Sequence, residues 1–486
     1  MSSKRFLMVI VLLIALSMGG LYLNSVFSNE ADIVTAPTTG EQESPAANIN
    51  NDEVLEKFSK ALTVIQEQYV NEVESEELLE GAIEGMLRTL DDPYSVYMDQ
   101  DTAKQFMESL GSHFEGIGAE VSMTDGKVTI VAPFRESPAE KAGLQPNDQI
   151  IKIDGESIEG LSLYEAVLQI RGEKGTEVKL TIERPGTKEP IVISVERDAI
   201  PIETVHVEVI ERDGKKVGLL NITSFSEDTA DRFEEGLAEL ESQGIDGLLI
   251  DVRGNPGGYL DSVEEIGKLI IPEGKPIVQI QNREGEKVRY ISTLKERKPY
   301  PIVGITDRSS ASASEILAAA LIEGGDYDVV GETTFGKGTV QQTIKLGDGS
   351  ELKLSLFKWL TSDGNDINKV GVKPTVEILQ PDYFYTIPLS SEETLTLEMM
   401  NDQVKSAQLM LKGLGFDPGR DDGYYDKPTQ EAVRAFQEAN NLTVSGDIDE
   451  ETANSLQQKI VESVRDPEND RQLQRAIELI LEQAQG

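Results

Sequence analysis

The sequence predicts a multidomain α/β protein, and three observations carry that prediction. A chain of 486 residues exceeds what one hydrophobic core organises, so about three domains are expected. From Val205 onward, apolar strand-like runs alternate with amphipathic helices. The order is VGLLNITSF, a helix with Phe233, Leu237 and Leu240 on one face, IDGLLIDVRGN, a short helix from Leu260, PIVGITD, and a helix from about Ser312. Such alternation marks buried, partly parallel strands covered by helices. This α/β unit is flanked by a β-rich module with helices before it and a small all-α segment after it.

Composition narrows the function. Asp and Glu outnumber Lys and Arg 87 to 45, a formal charge of −42. That excludes nucleic acid as a natural partner, because phosphates demand a basic surface. With no cysteine, there is no thiolate nucleophile, disulfide or Cys–metal site. The two histidines, His113 and His206, are too few for a three-His zinc site, and each reads as a surface or loop residue rather than a base. No metal and no cofactor is called for.

The elements follow in order. Lys4 and Arg5 precede the uncharged 18-residue run Phe6–Leu23. This is long enough to span a bilayer, with its basic end in the cytoplasm. A membrane anchor over 1–25 is the favoured reading, with a cleaved signal peptide as the competitor. Both put the remainder outside the cytoplasm. Residues 26–51, rich in Ser, Thr, Asn, Pro, Ala and Glu, read as a flexible linker. Over 52–100, Val54, Phe58, Leu62 and Ile65, then Leu78, Leu79, Ile83 and Met86, recur at helical spacing. They predict two amphipathic helices packing on the body or on a second copy.

In the next module, VTIVAPF, QIIKIDG, VKLTIER and IVISVER read as strands. Ser162 and Glu165 form a capping box ahead of an apolar face of Leu163, Ala166, Val167 and Ile170. FEGIGAEV (Phe114–Val121), SPAEKAGLQPNDQIIKIDG (Ser137–Gly155) and this helix together resemble a PDZ domain, here over 101–198. The resemblance implies capture of an extended peptide at a sheet edge. Its terminal carboxylate would meet the backbone N–H groups of Gly116, Ile117, Gly118 and Ala119. Asn147 stands where the family usually has glycine.

Two strand–helix junctions in the α/β unit are unusual. RGNPGG (Arg253–Gly258) is a rigid turn that exposes backbone N–H groups, which suits an oxyanion. SSASASEILAAAL (Ser309–Leu321) crowds Ser310, Ser312 and Ser314 at a helix start, more serines than one cap needs. Further on, GETTFGKGT (Gly331–Thr339) imitates a phosphate-binding P-loop. The imitation fails, because Gly338 occupies the Ser/Thr position after Lys337. The residues that follow, TVQQTIKL–GDGS–ELKLSLFKW, read as a β-hairpin rather than a helix. With histidine scarce, Lys337 is the natural base for a serine nucleophile, provided it is kept neutral.

SASASEILAAAL, RGNPGG and TTFGKGTVQ, with DPYSVYM upstream and GVKPTVEI downstream, closely resemble the C-terminal processing peptidases, over roughly Asp52–Val376. The resemblance implies a crotonase-like α/β serine protease core over 199–385. It implies Ser312 as nucleophile, Lys337 as general base and Gln341 orienting the lysine. The oxyanion hole would be built from the N–H of Ala313 and of Gly257 or Gly258. By weak analogy, Arg171 couples the PDZ domain to the core.

Farther along, Gly423, Asp426 and Thr429 repeat as Gly446, Asp449 and Thr452, each with an apolar anchor, Val433 and Leu456. The segment resembles a three-helix peptidoglycan-binding domain over 395–460. A final amphipathic helix within 461–486 is expected to pack on the body or in a dimer. The expected protein is an extracytoplasmic serine endopeptidase. Its partners are proteins with accessible C-terminal tails, peptidoglycan, the membrane and a possible second copy. The alternative is a non-catalytic wall-associated PDZ scaffold.

Overall fold

The computed structural model describes residues 51–484, apart from 125, 135, 186, 188, 391 and 392. The predicted membrane segment and linker lie outside the described residues. Among those described, no helix is long and apolar enough to cross a membrane.

Helices α1 (Asn51–Gln68) and α2 (Ser75–Arg88) form where the periodicity placed them. Tyr97 of the strand that follows donates to Glu80 of α2 at 3.2 Å, but much of the apolar face of both helices stays open. Val54, Phe58, Ile65, Leu79 and Met86 are between 40% and 61% exposed. Strand β1 (Val96–Met98) and helix α3 (Gln100–Leu110) follow, the helix capped by the Asp99 side chain on Thr102 N–H at 2.7 Å.

The β-rich module enters through β2 (His113–Gly116) and leaves through β9 (Asp198–Pro201), which pair antiparallel. The module is therefore an insertion held at its neck by a two-stranded ribbon. Between them lie β3 (Ala119–Thr124), β4 (Lys127–Pro133), α4 (Pro138–Lys141), β5 (Gln149–Ile153), β6 (Glu156–Ser157), α5 (Leu163–Ile170), β7 (Glu177–Glu183) and β8 (Ile191–Glu196). The sheet order is β3-β4-β5-β7-β8, with β6 on β5. The capping box of α5 is present, with Ser162 N–H donating to Glu165 at 2.8 Å and Glu165 N–H to Ser162 at 3.3 Å. Asn147 has φ +69°, a left-handed conformation that glycine adopts freely and Asn tolerates better than most. The substitution is thus accommodated.

The α/β unit is a six-stranded sheet in the order β10 (Val205–Arg212), β11 (Lys215–Ile222), β12 (Gly247–Asp251), β15 (Ile302–Thr306), β16 (Asp328–Gly331) and β19 (Val376–Glu377). Strands β11 to β19 run parallel, and only β10 is antiparallel. Leu220, Ile222, Leu248, Ile250 and Ile302 bury one face against α6 (Thr229–Ser242), α7 (Leu260–Ile270) and α8 (Ala313–Ala319). The alternate residues Leu219, Leu249, Val303 and Ile305 bury the other face against the last helix. A second, antiparallel sheet is centred on β18 (Glu351–Leu360). It pairs with β1, with β13 (Pro276–Gln281), which carries β14 (Lys287–Ile291), and with β17 (Thr339–Lys345). The hairpin expected after Lys337 is β17–β18, whereas β1 and the β13–β14 hairpin were not expected.

Three helices, α9 (Asp402–Gly413), α10 (Lys427–Ala439) and α11 (Glu450–Arg465), build the C-terminal unit. Each copy of the repeat does the same work. Asp426 and Asp449 cap the N–H of Thr429 and Thr452. Buried Gln408 and Gln437 accept from Gly423 and Gly446 N–H at 2.9 Å and donate to Thr429 and Thr452 at 3.0 Å. Of the two expectations for the last helix, α12 (Arg471–Gln483), packing on the body is the one observed. Leu473, Ile477 and Ile480 cover the parallel sheet, and Gly247 leaves room for Ile480 where a methyl group would come within 2.3 Å.

Candidate active site

The site forms where β12 and β15 run out into loops, at the start of α8. Ser312 begins that helix with φ +55° and ψ −112°, a strained conformation for a residue with a side chain. The serines on either side explain the alternation. Ser310 Oγ donates to the Val252 carbonyl at 2.8 Å, and Ser314 Oγ to the Asn255 carbonyl at 2.9 Å. The outer two hold the 252–258 loop, and Ser312 sits between them, 6% exposed.

That loop is RGNPGG. Asn255, fully buried, donates to the Ile222 carbonyl and accepts Gly257 N–H at 2.8 Å. Of the two candidate oxyanion donors, Gly257 thus has its N–H hydrogen-bonded within the loop. No partner is recorded among the described residues for the N–H of Gly258 or of Ala313. Gly257 and Gly258 have φ of +104° and +147°. A methyl on the first would press on Ser312 Cβ at 2.8 Å, and on the second on the Phe225 carbonyl oxygen at 2.0 Å. Only glycine lets this loop lie against the serine.

Lys337 is fully buried. Its carbonyl accepts Trp359 Nε1–H at 2.7 Å, and its Nζ lies 4.8 Å from the centre of the Tyr94 ring. Burial holds its ammonium well below the usual lysine range, and the positive charge of Lys353 adds to that, against smaller opposing effects of Glu315 and Asp92. Gly336 and Gly338 bring the loop against residues 368–371, where methyl groups would meet backbone at 2.9 and 2.8 Å. The glycines that imitate a P-loop are thus packing devices around the lysine.

Gln341, also fully buried, lies on β17 beside the point where β18 bulges at Leu356. Its Nε2 donates to Thr339 O at 3.2 Å, Thr339 Oγ1 at 2.9 Å and Ser355 Oγ at 3.0 Å. Gly258, Leu260, Ser312, Ala313, Ile316, Thr339, Val340 and Trp359 line a small, largely apolar recess.

Sequence reasoning missed the residue that joins the two halves. Glu315, fully buried, accepts Ser312 N–H and Lys337 N–H through Oε2, both at 2.8 Å. Its Oε1 accepts from Thr334 Oγ1 at 2.6 Å and Gly336 N–H at 2.7 Å. One carboxylate thus fixes the backbones of the serine and the lysine together. Burial raises its pKa, and the four donors pull it back. The Ser-x-x-Glu spacing from Ser312 was the available signal. The Asp92–Ser95 turn, which the sequence marks only through the family resemblance, also reaches the site. Here Ser95 Oγ donates to Asp92 at 2.6 Å and accepts Ser355 N–H at 3.1 Å, one hydrogen bond from Gln341.

The remaining candidates lie elsewhere. His113 and His206 are both exposed. Gly116, Ile117, Gly118 and Ala119 link β2 to β3. The carbonyls of Ile117 and Gly118 accept from Ala139 and Phe134, and no partner is recorded among the described residues for the N–H of Ile117 or Gly118. Arg171 ends α5 with its guanidinium 5.0 Å from the Phe114 ring centre, in a cleft shared with Asp101, Gln105 and Glu108 of α3.

Comparison with known proteins matches each part. Residues 216–378 match Peptidase family S41, 116–195 a PDZ domain, 400–456 a putative peptidoglycan binding domain, and 14–102 the N-terminal domain of the activating protease CtpB. The chain is 53% identical over 455 residues to the carboxy-terminal processing protease CtpB of Bacillus subtilis, covering 94% of each. It is 42% identical over 430 residues to CtpA of the same organism, covering 88% of this chain and 91% of the relative. A probable CtpA-like serine protease of Staphylococcus aureus is 33% identical over 467 residues, covering 95% and 91%. With strands, junctions and flanking modules all in agreement, the chain belongs to peptidase family S41 as a serine-type carboxy-terminal processing protease carrying a PDZ domain.

Proposed function

We propose that this protease cleaves proteins outside the cytoplasm through a Ser312–Lys337 pair, with Gln341 positioning the lysine. The observation that carries the reading is the buried, charge-depressed Lys337 tied through Glu315 to the backbone of Ser312. Ser312 Oγ attacks the scissile carbonyl carbon, its proton passes to Lys337 Nζ, and that proton goes to the departing amine. Water then hydrolyses the acyl-enzyme, giving its proton to Lys337, which returns one to the released Ser312 Oγ. The N–H groups of Gly258 and Ala313 receive the developing oxyanion. The amide nitrogen of Gln341 is committed to Thr339 and Ser355, so its oxygen is the atom offered to the lysine.

The PDZ domain presents the substrate's C-terminal carboxylate to the Ile117 and Gly118 N–H groups. Arg171, facing α3, is the candidate for reporting that binding to the core. The uncharged run Phe6–Leu23 and the peptidoglycan-binding match support a membrane-tethered enzyme at the wall, and the open apolar faces of α1 and α2 support a second copy as partner.

The test is hydrolysis of a protein with an unstructured, apolar C-terminal tail. Wild type is expected to cut it, and Ser312→Ala and Lys337→Ala to lose at least about 10³-fold in kcat/KM. Retention of a normal rate by either variant overturns the assignment, and an inactive wild type would favour the scaffold.

A further inference from the structure

One buried ionisable group near the site has no role in the mechanism above. Strand β18 is inside out. Its apolar phase, Leu352, Leu354 and Leu356, is only partly buried or exposed, while Glu351 and Lys353 lie on the buried side, Lys353 only 3% exposed. A strand that turns leucines outward to bury a lysine gives up hydrophobic burial. Among the described residues, Lys353 makes no ion pair. Its Nζ lies over the Phe106 ring of α3 at 4.6 Å, just as Lys337 Nζ lies over Tyr94.

The two lysines share one neighbourhood. Lys353 pairs with Val96 on one side and with Thr343 on the other, two residues past Gln341. The Asp92–Val96 segment runs past both, supplying Tyr94 to Lys337 and Val96 to Lys353. The charged groups felt by Lys337 are Lys353 from β18, Glu315 from α8 and Asp92 from the turn before β1. Lys353 feels Asp92 in turn.

We infer that Lys353 is a positioning residue for the reaction, a buried cation that keeps the neighbouring Lys337 in its neutral, proton-accepting form. This rests on the Ser312–Lys337 reading. Burial holds the Lys353 ammonium down to about 8. Below that pH Lys353 is charged and repels a proton on Lys337. Above that pH Lys353 loses its charge and the effect fades.

The experiment is the pH dependence of kcat/KM on the tail-bearing substrate. Lys353→Met removes the charge and keeps the stem, so Lys337 gains its proton at higher pH. The acid limb is expected to move up by about 1 pH unit, and Lys353→Arg, which keeps the charge, to restore the wild-type limb. Lys353→Gln, which removes the charge but keeps a polar end, is expected to move the limb up likewise, and keeps the inference testable if Lys353→Met does not fold. An unmoved limb in Lys353→Met or Lys353→Gln, or equal movement in the Met and Arg variants, overturns the inference. The two readings fail separately. Normal activity in Lys337→Ala removes the base assignment itself, whereas an inactive Lys337→Ala beside an unmoved Lys353→Met limb removes only the role of Lys353.

Discussion

At the residue scale, the site trades stability for chemistry. Lys337 is depressed in the fold and ordinary in the unfolded chain, so the unfolded state binds the extra proton. Its burial is therefore a net cost at every pH below the unfolded lysine value. That cost shrinks as pH rises through the interval between the folded and unfolded values. Lys337→Met is accordingly expected to abolish hydrolysis while raising the melting temperature at neutral pH, by about 2–4 °C for each kcal/mol relieved. A lowered melting temperature in calorimetry would show that the lysine is a favourable structural group. Glu315 has the opposite balance. Glu315→Gln keeps the volume but leaves one carbonyl oxygen for four donors, so two or more lose their acceptor. The expected loss is about 2–5 kcal/mol of unfolding free energy in urea, and an unchanged midpoint would contradict the bridging role. Ser312 and Lys337 were legible as candidates in the sequence because small residues and glycines mark the turns that carry them. Glu315 and Lys353 were not, because their roles depend on which face of a helix or strand is buried. In β18 the alternation of leucines points to the wrong face.

At the element scale, the 252–258 loop proposed to receive the oxyanion is held from two sides. Ser310, Ser314 and Asn255 fasten it to α8 and β11. Arg253, beside Asp251 at 2.7 Å, reaches Asp470 at the start of α12 at 2.8 Å, and Asp470 also accepts from Gln380. The two carboxylates push the Arg253 guanidinium above its ordinary value despite burial. Asp470→Ala leaves Arg253 with Asp251 and a single hydrogen bond to Gln472, and is expected to cost about 1–3 kcal/mol. It should also lower kcat more than it raises KM, since the loop is felt at the oxyanion. A variant matching wild type in both would make the α12 contact incidental to the loop. The parallel strands, α5, the β17–β18 hairpin and the Asp-capped repeats were readable from periodicity and capping. Strand β1 and the β13–β14 hairpin were not, since short strands in a second sheet leave little periodic signal.

At the scale of the whole molecule, the chain returns to the protease after building the C-terminal unit. The last helix covers the face of the parallel sheet formed by Leu219, Leu249, Val303 and Ile305. Removing residues 466–486 is expected to expose that face and give an unstable, aggregating protein, whereas residues 395–465, with their own core, should fold alone and sediment with purified cell wall. A truncated chain of wild-type melting temperature would contradict the first expectation, and failure to sediment the second. No run of residues announced that α12 belongs to the protease sheet, because an amphipathic helix states that it has a partner but not which one.

The central claim is that Ser312 is a nucleophile activated by a neutral Lys337. The most direct measurement is peptide-mapped mass spectrometry of the full chain after reaction with a fluorophosphonate across a pH series. The account predicts a single covalent adduct on Ser312, formed faster as pH rises from mildly acidic to mildly basic and absent in Lys337→Met. An adduct on another residue, a rate flat with pH, or labelling of Lys337→Met at the wild-type rate would contradict it.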